Sequence, residues 1–221
     1  MEKPDLIGIT SGMTYWYPGV FKAIKILKEF FKGAPILLGG IYATVCYEHA
    51  VKYSEADYII RGRGEVQLSK IVSEFLSLEL PMVNCQLNID DRPYPAFDLY
   101  PQLEYVSMMT SRGCPFRCSY CASPVISGAF KKRDPCKVVE EIEYWTSRYR
   151  VNNIAFYDDA LLVNPLEHII EILKEVKKRE IQCNFHSPNG LHVKEIGEEL
   201  ADLLYQCRFK TLRLGLETSN E

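Results

Sequence analysis

No apolar run in these 221 residues approaches the roughly 18–20 that a membrane-spanning helix needs. The chain also lacks an apolar opening: Met1-Glu2-Lys3-Pro4-Asp5 does not begin a secretory signal. Positive charge is not in excess either. With 26 Lys and Arg against 29 Asp and Glu, the formal charge is −3, so no overall basic field draws nucleic acid or a membrane surface. Nor is the chain poor in core-forming residues: 47% are hydrophobic and 25% charged, which excludes intrinsic disorder. The expectation is a cytoplasmic globular protein of one large or two small domains, without a nucleic-acid or membrane partner.

What the chain does have is eight cysteines. Without an export signal the expected compartment is reducing, where thiols serve metals or catalysis rather than disulfides. Cys46, Cys85, Cys136, Cys183 and Cys207 are scattered singly. Cys114, Cys118 and Cys121 are clustered, and chance gives one cysteine partners at both +4 and +7 in only about 1% of chains of this composition.

Strands alternate with amphipathic helices almost throughout. Apolar runs at 5–10, 36–38 and 58–60 read as strands, with helices starting near Pro18 and spanning about 44–53 and 65–76. In the first helix Val20, Ile24, Leu27 and Phe31 share one face, and Lys22, Lys25, Lys28 and Lys32 form a solvated stripe on the other. Pro81, Pro93, Pro95 and Pro101 then interrupt any regular element, so 78–104 reads as a linker. A second series follows, with strands at 105–110, 154–157, 181–186 and 211–216. Its helices span about 135–148, where Asp134-Pro135 is a start signal, 165–178 and 194–206. Strands separated by helices of this length imply parallel sheets. The domains expected are 1–77, a linker 78–104, and 105–221. The last apolar strand has no helix after it to cover it, and the first begins within a few residues of Met1. The reading is a piece of a longer architecture, completed by a partner chain that supplies missing strands.

Thr110-Ser111-Arg112-Gly113-Cys114-Pro115-Phe116-Arg117-Cys118-Ser119-Tyr120-Cys121 directly follows a strand, which places it at the carboxyl end of a parallel sheet, where active sites sit. Gly113 and Pro115 favour an irregular loop that can wrap an object. Three thiolates at these spacings can take three corners of an iron–sulfur cube, and Arg112 and Arg117 can offset its negative charge. Since full ligation usually takes four cysteines, three leave one metal open, as catalytic rather than structural sites do. The alternatives are unrelated buried thiols or a zinc site with Cys136 as fourth ligand, which fits no usual pair spacing.

The Cys114-x3-Cys118-x2-Cys121 spacing, with an aromatic before the third cysteine, resembles the signature of the radical S-adenosylmethionine enzymes over about Tyr105 to the end. The resemblance implies a partial parallel (β/α) barrel and a [4Fe-4S] cluster on Cys114, Cys118 and Cys121 whose open iron chelates the methionyl group. It implies reductive cleavage of S-adenosylmethionine to a 5′-deoxyadenosyl radical, a reductant such as flavodoxin or ferredoxin, and a small-molecule substrate. By the same resemblance Tyr120 contacts the adenine. Asp158 and Asp159 stand at the strand end where the family often has Gly-Gly-Glu, and so fall to the methionyl ammonium. Gly215-Leu216-Glu217-Thr218-Ser219 resembles a strand end that holds the methionyl carboxylate or ribose, giving Glu217 and Ser219 that role. Independently, the alternation of Ile181, Cys183 and Phe185 with Gln182, Asn184 and His186 puts a polar face toward the lumen of a barrel, which makes Asn184 and His186 candidate substrate contacts. His49, His168 and His192 lie in no motif.

In the first series, Ser11-Gly12-Met13, Gly39-Gly40-Ile41-Tyr42 and Arg61-Gly62-Arg63-Gly64-Glu65 each follow a strand, where glycine permits close approach of backbone to a ligand. Their order resembles a doubly wound, Rossmann-like cobalamin-binding domain over residues 5–76. The resemblance implies cobalamin contacts at Ser11, Met13, Gly39, Gly40, Gly62, Gly64 and Glu65. Two departures are plain: no Asp-x-His-x-x-Gly loop supplies a lower cobalt ligand, and the usual Gly-Gly-Pro-His is Gly39-Gly40-Ile41-Tyr42 here.

The leading expectation is therefore a cobalamin-associated radical enzyme acting in methylation or another radical transformation. Methylthiotransferase-like sulfur insertion is disfavoured, because only Cys46 and Cys85 precede the loop, whereas those relatives hold a second cluster with three N-terminal cysteines. A split fragment that binds a cluster or a partner without turnover is the remaining alternative.

Overall fold

The computed structural model describes residues 3–77 and 89–215. The chain folds into two compact units, Met1–Gln86 with Tyr120–Ser127, and Leu87–Ser119 with Gly128–Glu221.

The first unit is a three-stranded parallel sheet with helices in its crossovers. Strand β1 (Ile7–Ser11) leads to helix α1 (Tyr17–Phe30), β2 (Ile36–Gly40), α2 (Ile41–Val45), α3 (Tyr47–Tyr53), β3 (Tyr58–Ile59) and α4 (Glu65–Leu76), with strand order β1-β2-β3. Register pairs Ile9 with Leu38 and Ser11 with Gly40, and Leu38 with Ile59, so three strand ends lie along one carboxyl edge. Ile24, Ile36, Leu38, Tyr42, Ala43 and Ala50 form the core. The lysine face of α1 is solvated as expected, with Lys28 bonded to Asp57 at 3.0 Å and Lys25 near Glu55 at 3.4 Å. The helix expected over 44–53 is two helices, because the backbone at Cys46 (φ −111°, ψ 41°) leaves helical values.

The second unit is a four-stranded parallel sheet, completed by a short antiparallel ribbon. In chain order come β4 (Val106–Met108), β5 (Ser111–Arg112), α5 (Ser123–Ile126, which belongs to the first unit), β6 (Lys131–Lys132), α6 (Pro135–Glu143), β7 (Asn153–Phe156), α7 (Ile169–Lys178), β8 (Asn184–Leu191), α8 (Glu198–Gln206) and β9 (Phe209–Leu214). The sheet order is β4-β7-β8-β9, all parallel, and among the described residues β5 pairs only with β6. Asp134 caps α6 by accepting from the amides of Cys136 (2.8 Å) and Lys137 (3.2 Å), with Pro135 at the first turn. Helix α7 buries Ile169, Ile170, Ile172, Leu173 and Val176 in a core with Val138, Ile142, Trp145, Ile154, Phe156 and Phe185. Within the expected linker, Tyr94, Phe97 and Leu103 pack against this core.

Two strands differ from expectation. The amide of Ile181 donates to Val176 O at 3.1 Å, closing the end of α7, so the third strand of this sheet starts at Asn184 rather than 181 and runs on to Leu191. Its pairing with β9 shifts register between Ser187 and Gly190, around Pro188. In β9, Leu212 and Leu214 are exposed because this strand is the edge of the described sheet.

Candidate functional site

The cysteine loop leaves the carboxyl end of β4. The last ladder bond there runs from the Tyr157 amide to Met108 O at 2.8 Å. The chain then turns into β5, which pairs with β6 through Ser111–Lys132 and Arg112–Lys131, while the Arg133 amide donates to Thr110 O at 2.9 Å. This ribbon closes the base of residues 113–130. Gly113 has φ +75°, and a Cβ there would lie 2.9 Å from Gly128 O, so glycine is required both by conformation and by space.

Within the loop, Cys114 is half-buried, Cys118 and Cys121 are exposed, and all three are thiols rather than disulfides. Cys114 and Cys118 lie in the second unit, and Cys121 lies in the segment Tyr120–Ser127 of the first. The Cys121 sulfur accepts from the Ser123 amide at 3.4 Å. Phe116, between the first two cysteines, lies against His192 (ring centroids 4.6 Å) and beneath Lys194 at 5.2 Å. Among the described residues no three His, Cys, Asp or Glu side chains converge on one point, as ligands of a single ion must. A cluster has another requirement: each thiolate takes its own iron. Three reduced cysteines along an irregular loop are a donor set of that kind. A cleft of about 380 Å³ opens beside the loop's root, between Tyr94, Phe97, Ser107, Arg112 and Tyr157.

The acidic pair at the end of β7 is split by burial. Asp159 is exposed. Asp158 is 2% exposed, and one oxygen, Oδ1, accepts from the Thr110 amide (3.0 Å), the Thr110 hydroxyl (2.8 Å), the Ser111 amide (2.5 Å) and the Ser111 hydroxyl (2.6 Å). Its Oδ2 shares the Thr110 amide at 3.0 Å. The carboxylate expected at the methionyl ammonium is thus engaged with the root of the cysteine loop. Burial raises its pKa, opposed by the hydroxyl and amide donors.

Behind it sits His168, which no sequence pattern singled out. It is 1% exposed, and its Nε2 lies 3.0 Å from Thr110 Oγ1. The threonine hydroxyl gives its proton to Asp158, so it accepts from Nε2–H. His168 Nδ1 is buried without a hydrogen-bond partner among the described residues. Burial, then the nearby Lys132 charge, lowers the His168 pKa to about 4. Asn189, also missed, donates to Tyr157 O (3.1 Å) and Asp158 O (3.0 Å). Of the other expected cofactor contacts, Tyr120 is 74% exposed, while Glu217 and Ser219 lie outside the described residues.

The polar face expected on the third strand of this sheet is present. Register lines up Ser107, Ala155, His186 and Thr211 across all four strands, opposite the face of Val106, Ile154 and Phe185. Asn153 Oδ1 accepts from Asn184 Nδ2 (3.1 Å) and lies 3.2 Å from His186 Nε2, while His186 Nδ1 lies 3.0 Å from Thr211 Oγ1. Both ring nitrogens of His186 therefore have neighbours on the protein. Asn184 Oδ1 has none among the described residues.

In the first unit, Ser11, Gly39, Gly40 and Gly62 gather at the carboxyl edge. Gly40 is required by packing: with φ +95°, a Cβ there would meet Ser11 O at 2.6 Å, so the neighbouring strand already fills that space. Gly39 and Gly62 face open space, leaving backbone that a ligand can reach. Thr44, unremarked in the sequence, ties the edge together by donating to Gly40 O (2.8 Å) and accepting from the Gly62 amide (3.0 Å). Ser11 is buried and its hydroxyl donates to Met13 O at 3.1 Å, while Met13 is exposed. Gly64 precedes α4 and Glu65 opens it. Tyr42, where the resembled domain has histidine, is buried; it stacks on Tyr17 at 5.7 Å, and its hydroxyl lies 2.6 Å from His49 Nδ1.

Comparison with known proteins agrees with both halves of this arrangement. The family model of the radical SAM superfamily matches residues 108–221, and that of the B12 binding domain matches 1–72. An uncharacterized methyltransferase of Pyrococcus horikoshii is 25% identical, covering 98% of this chain and 52% of the relative. A second, from Synechocystis, is 28% identical over 96% of this chain and 41% of its own length. The anaerobic magnesium-protoporphyrin IX monomethyl ester cyclase of Rubrivivax gelatinosus is 28% identical over 81% and 38%. The chain thus spans about half the length, or less, of these relatives. In fold it resembles the radical S-adenosylmethionine methyltransferase TsrM of Kitasatospora setae, with a TM-score of 0.74 at 19% identity, covering 97% of this chain and 48% of that one. A radical SAM domain implies S-adenosylmethionine and a [4Fe-4S] cluster, and a B12 binding domain supports cobalamin as a further cofactor. With more than half of its residues matched by the radical SAM model, and a cysteine loop departing from the carboxyl end of a parallel strand, the chain belongs to the radical SAM superfamily of enzymes.

Proposed function

We propose that Cys114, Cys118 and Cys121 hold a [4Fe-4S] cluster, and that the protein uses it with S-adenosylmethionine for methylation or another radical transformation of a small molecule. When bound, the cluster supplies the electron that cleaves the sulfonium and releases a 5′-deoxyadenosyl radical. The residues of this chain do the rest. The β5–β6 ribbon and Gly113 set the direction of the loop. Arg112 and Arg117 bring positive charge to the neighbourhood of the thiolates. Tyr120 and Asp159, both exposed, are the candidate contacts of S-adenosylmethionine. The polar row of Asn184, His186 and Thr211 offers substrate hydrogen-bonding groups. Cobalamin binds at the carboxyl edge of the first unit, where Gly39 and Gly62 leave the backbone open. A flavodoxin or ferredoxin serves as reductant.

The observation that carries this reading is the three-cysteine loop rooted at the end of β4, inside the residues matched by the radical SAM model. Anaerobic reconstitution with iron and sulfide is expected to load about four irons per chain. Adding S-adenosylmethionine is expected to alter the electron-spin spectrum of the reduced protein. Alanine at any of the three cysteines should abolish loading. A colourless product, or stoichiometric zinc, refutes the assignment.

A further inference from the structure

We propose that Asp158 is a positioning residue for the cluster loop rather than a ligand of S-adenosylmethionine; this rests on the cluster reading above. Its carboxylate clamps the two residues from which the loop departs, so that Cys114 and Cys118 are presented in one orientation.

The clamp sits at the end of β4. Its ladder to β7 stops at Met108, so the amides of Thr110 and Ser111 have no strand to donate to on that side. Asp158, just beyond β7, accepts both amides and both hydroxyls. Two consecutive N–H groups aimed at one oxygen form a small anion-binding concavity made by the protein for its own side chain. A carboxylate buried this fully is costly unless its lone pairs are filled. Among the described residues no lysine or arginine is a hydrogen-bond partner of Asp158; the four donors come from Thr110 and Ser111.

The clamp is itself held. Asn189 fixes the Asp158 backbone from the end of β8, and His168 buttresses Thr110 Oγ1 from the start of α7. The ends of three strands are therefore laced toward Thr110 and Ser111, four and three residues before Cys114. Asp159, the other member of the pair, stays exposed. A core made for stability alone has no need of a buried carboxylate at this point, since apolar packing of equal volume is often as stable. The arrangement instead specifies a single backbone direction for the loop.

The test compares the wild-type chain with Asp158→Ala, Asp158→Asn and Asp202→Asn. Amide exchange at Thr110 and Ser111 in the metal-free protein reads the clamp directly. Iron content after anaerobic reconstitution and the rate of iron removal by a chelator read its consequence. Wild type and Asp202→Asn, at an exposed acid of α8, should load equally. Asp158→Ala should exchange both amides at least tenfold faster, load less than half the iron, and surrender it at least tenfold faster. Asp158→Asn keeps one acceptor oxygen and should fall between.

Should Asp158→Ala not fold, Thr110→Val with Ser111→Ala removes only the two hydroxyls and should still speed iron loss severalfold. Wild-type loading and retention in Asp158→Ala, or in that double variant where the first does not fold, overturns the proposal while leaving the cluster assignment intact. If wild type itself loads no iron, the cluster assignment fails, and this inference with it.

Discussion

Gly113 and Gly128 form a matched pair at the base of the cysteine loop. Their φ angles are +75° and +74°, yet a Cβ at Gly128 meets nothing within 4 Å while one at Gly113 lies 2.9 Å from a backbone oxygen. Alanine at 128 should therefore cost only the conformational strain, about 1 kcal/mol. Alanine at 113 should cost distinctly more and should also impair iron loading, because a carbonyl cannot yield as a side chain does. Urea unfolding of the two variants checks this, and equal losses refute it. At this scale the sequence was legible in part. The three cysteines declared themselves by spacing. Asp158 and Asp159 did not separate, since adjacent identical side chains differ only in which one the strand end turns inward. His168, Asn189 and Thr44 carried no signal, because their partners lie 58, 31 and 18 residues away.

Among the elements, α7 shows how apolar spacing becomes stability. Leu173 is fully buried among Ile142, Trp145, Leu204 and their neighbours, and Leu173→Ala should destabilise the second unit by about 2–5 kcal/mol. Ile26 on α1 is 42% exposed, and Ile26→Ala should cost about 0.5 kcal/mol or less. Chemical denaturation of the two variants distinguishes them, and comparable losses contradict the packing described. Helices with start signals were readable: Asp134-Pro135 caps α6 and Pro18 lies in the first turn of α1. The β5–β6 ribbon was not readable, since two-residue strands have no period to detect. The β8 boundary also escaped, because closing α7 took Ile181 from the strand.

For the molecule as a whole, the buried network behind the cysteine loop predicts an acid-sensitive fold. His168 is held neutral, with a pKa of about 4 against an ordinary value of 6.5. Below pH 6.5 the unfolded chain takes up a proton that the folded chain refuses, so this group lowers stability as pH falls to about 4. The total is about 3 kcal/mol, fully recovered above pH 6.5. Replacing the histidine removes that proton uptake. His168→Gln should therefore flatten the decline in unfolding free energy between pH 6.5 and 4 relative to wild type. Identical slopes for the two proteins sink the prediction. The proline-rich break reads in the sequence as a linker over 78–104, whereas Tyr94, Phe97 and Leu103 pack on the second core and Tyr120–Ser127 joins the first unit.

The sequence by itself determined the parallel α/β architecture and the three thiols at a strand end. Both are encoded locally, in the period of apolar residues, in cap and turn chemistry, and in the cysteine spacing. Only the tertiary structure decided which acid is buried beneath the loop, which glycine is closed off by a neighbouring strand, and which histidine is kept neutral. Those outcomes depend on groups brought together from distant positions, where burial makes a hydrogen bond compulsory and a close backbone leaves no room for a Cβ.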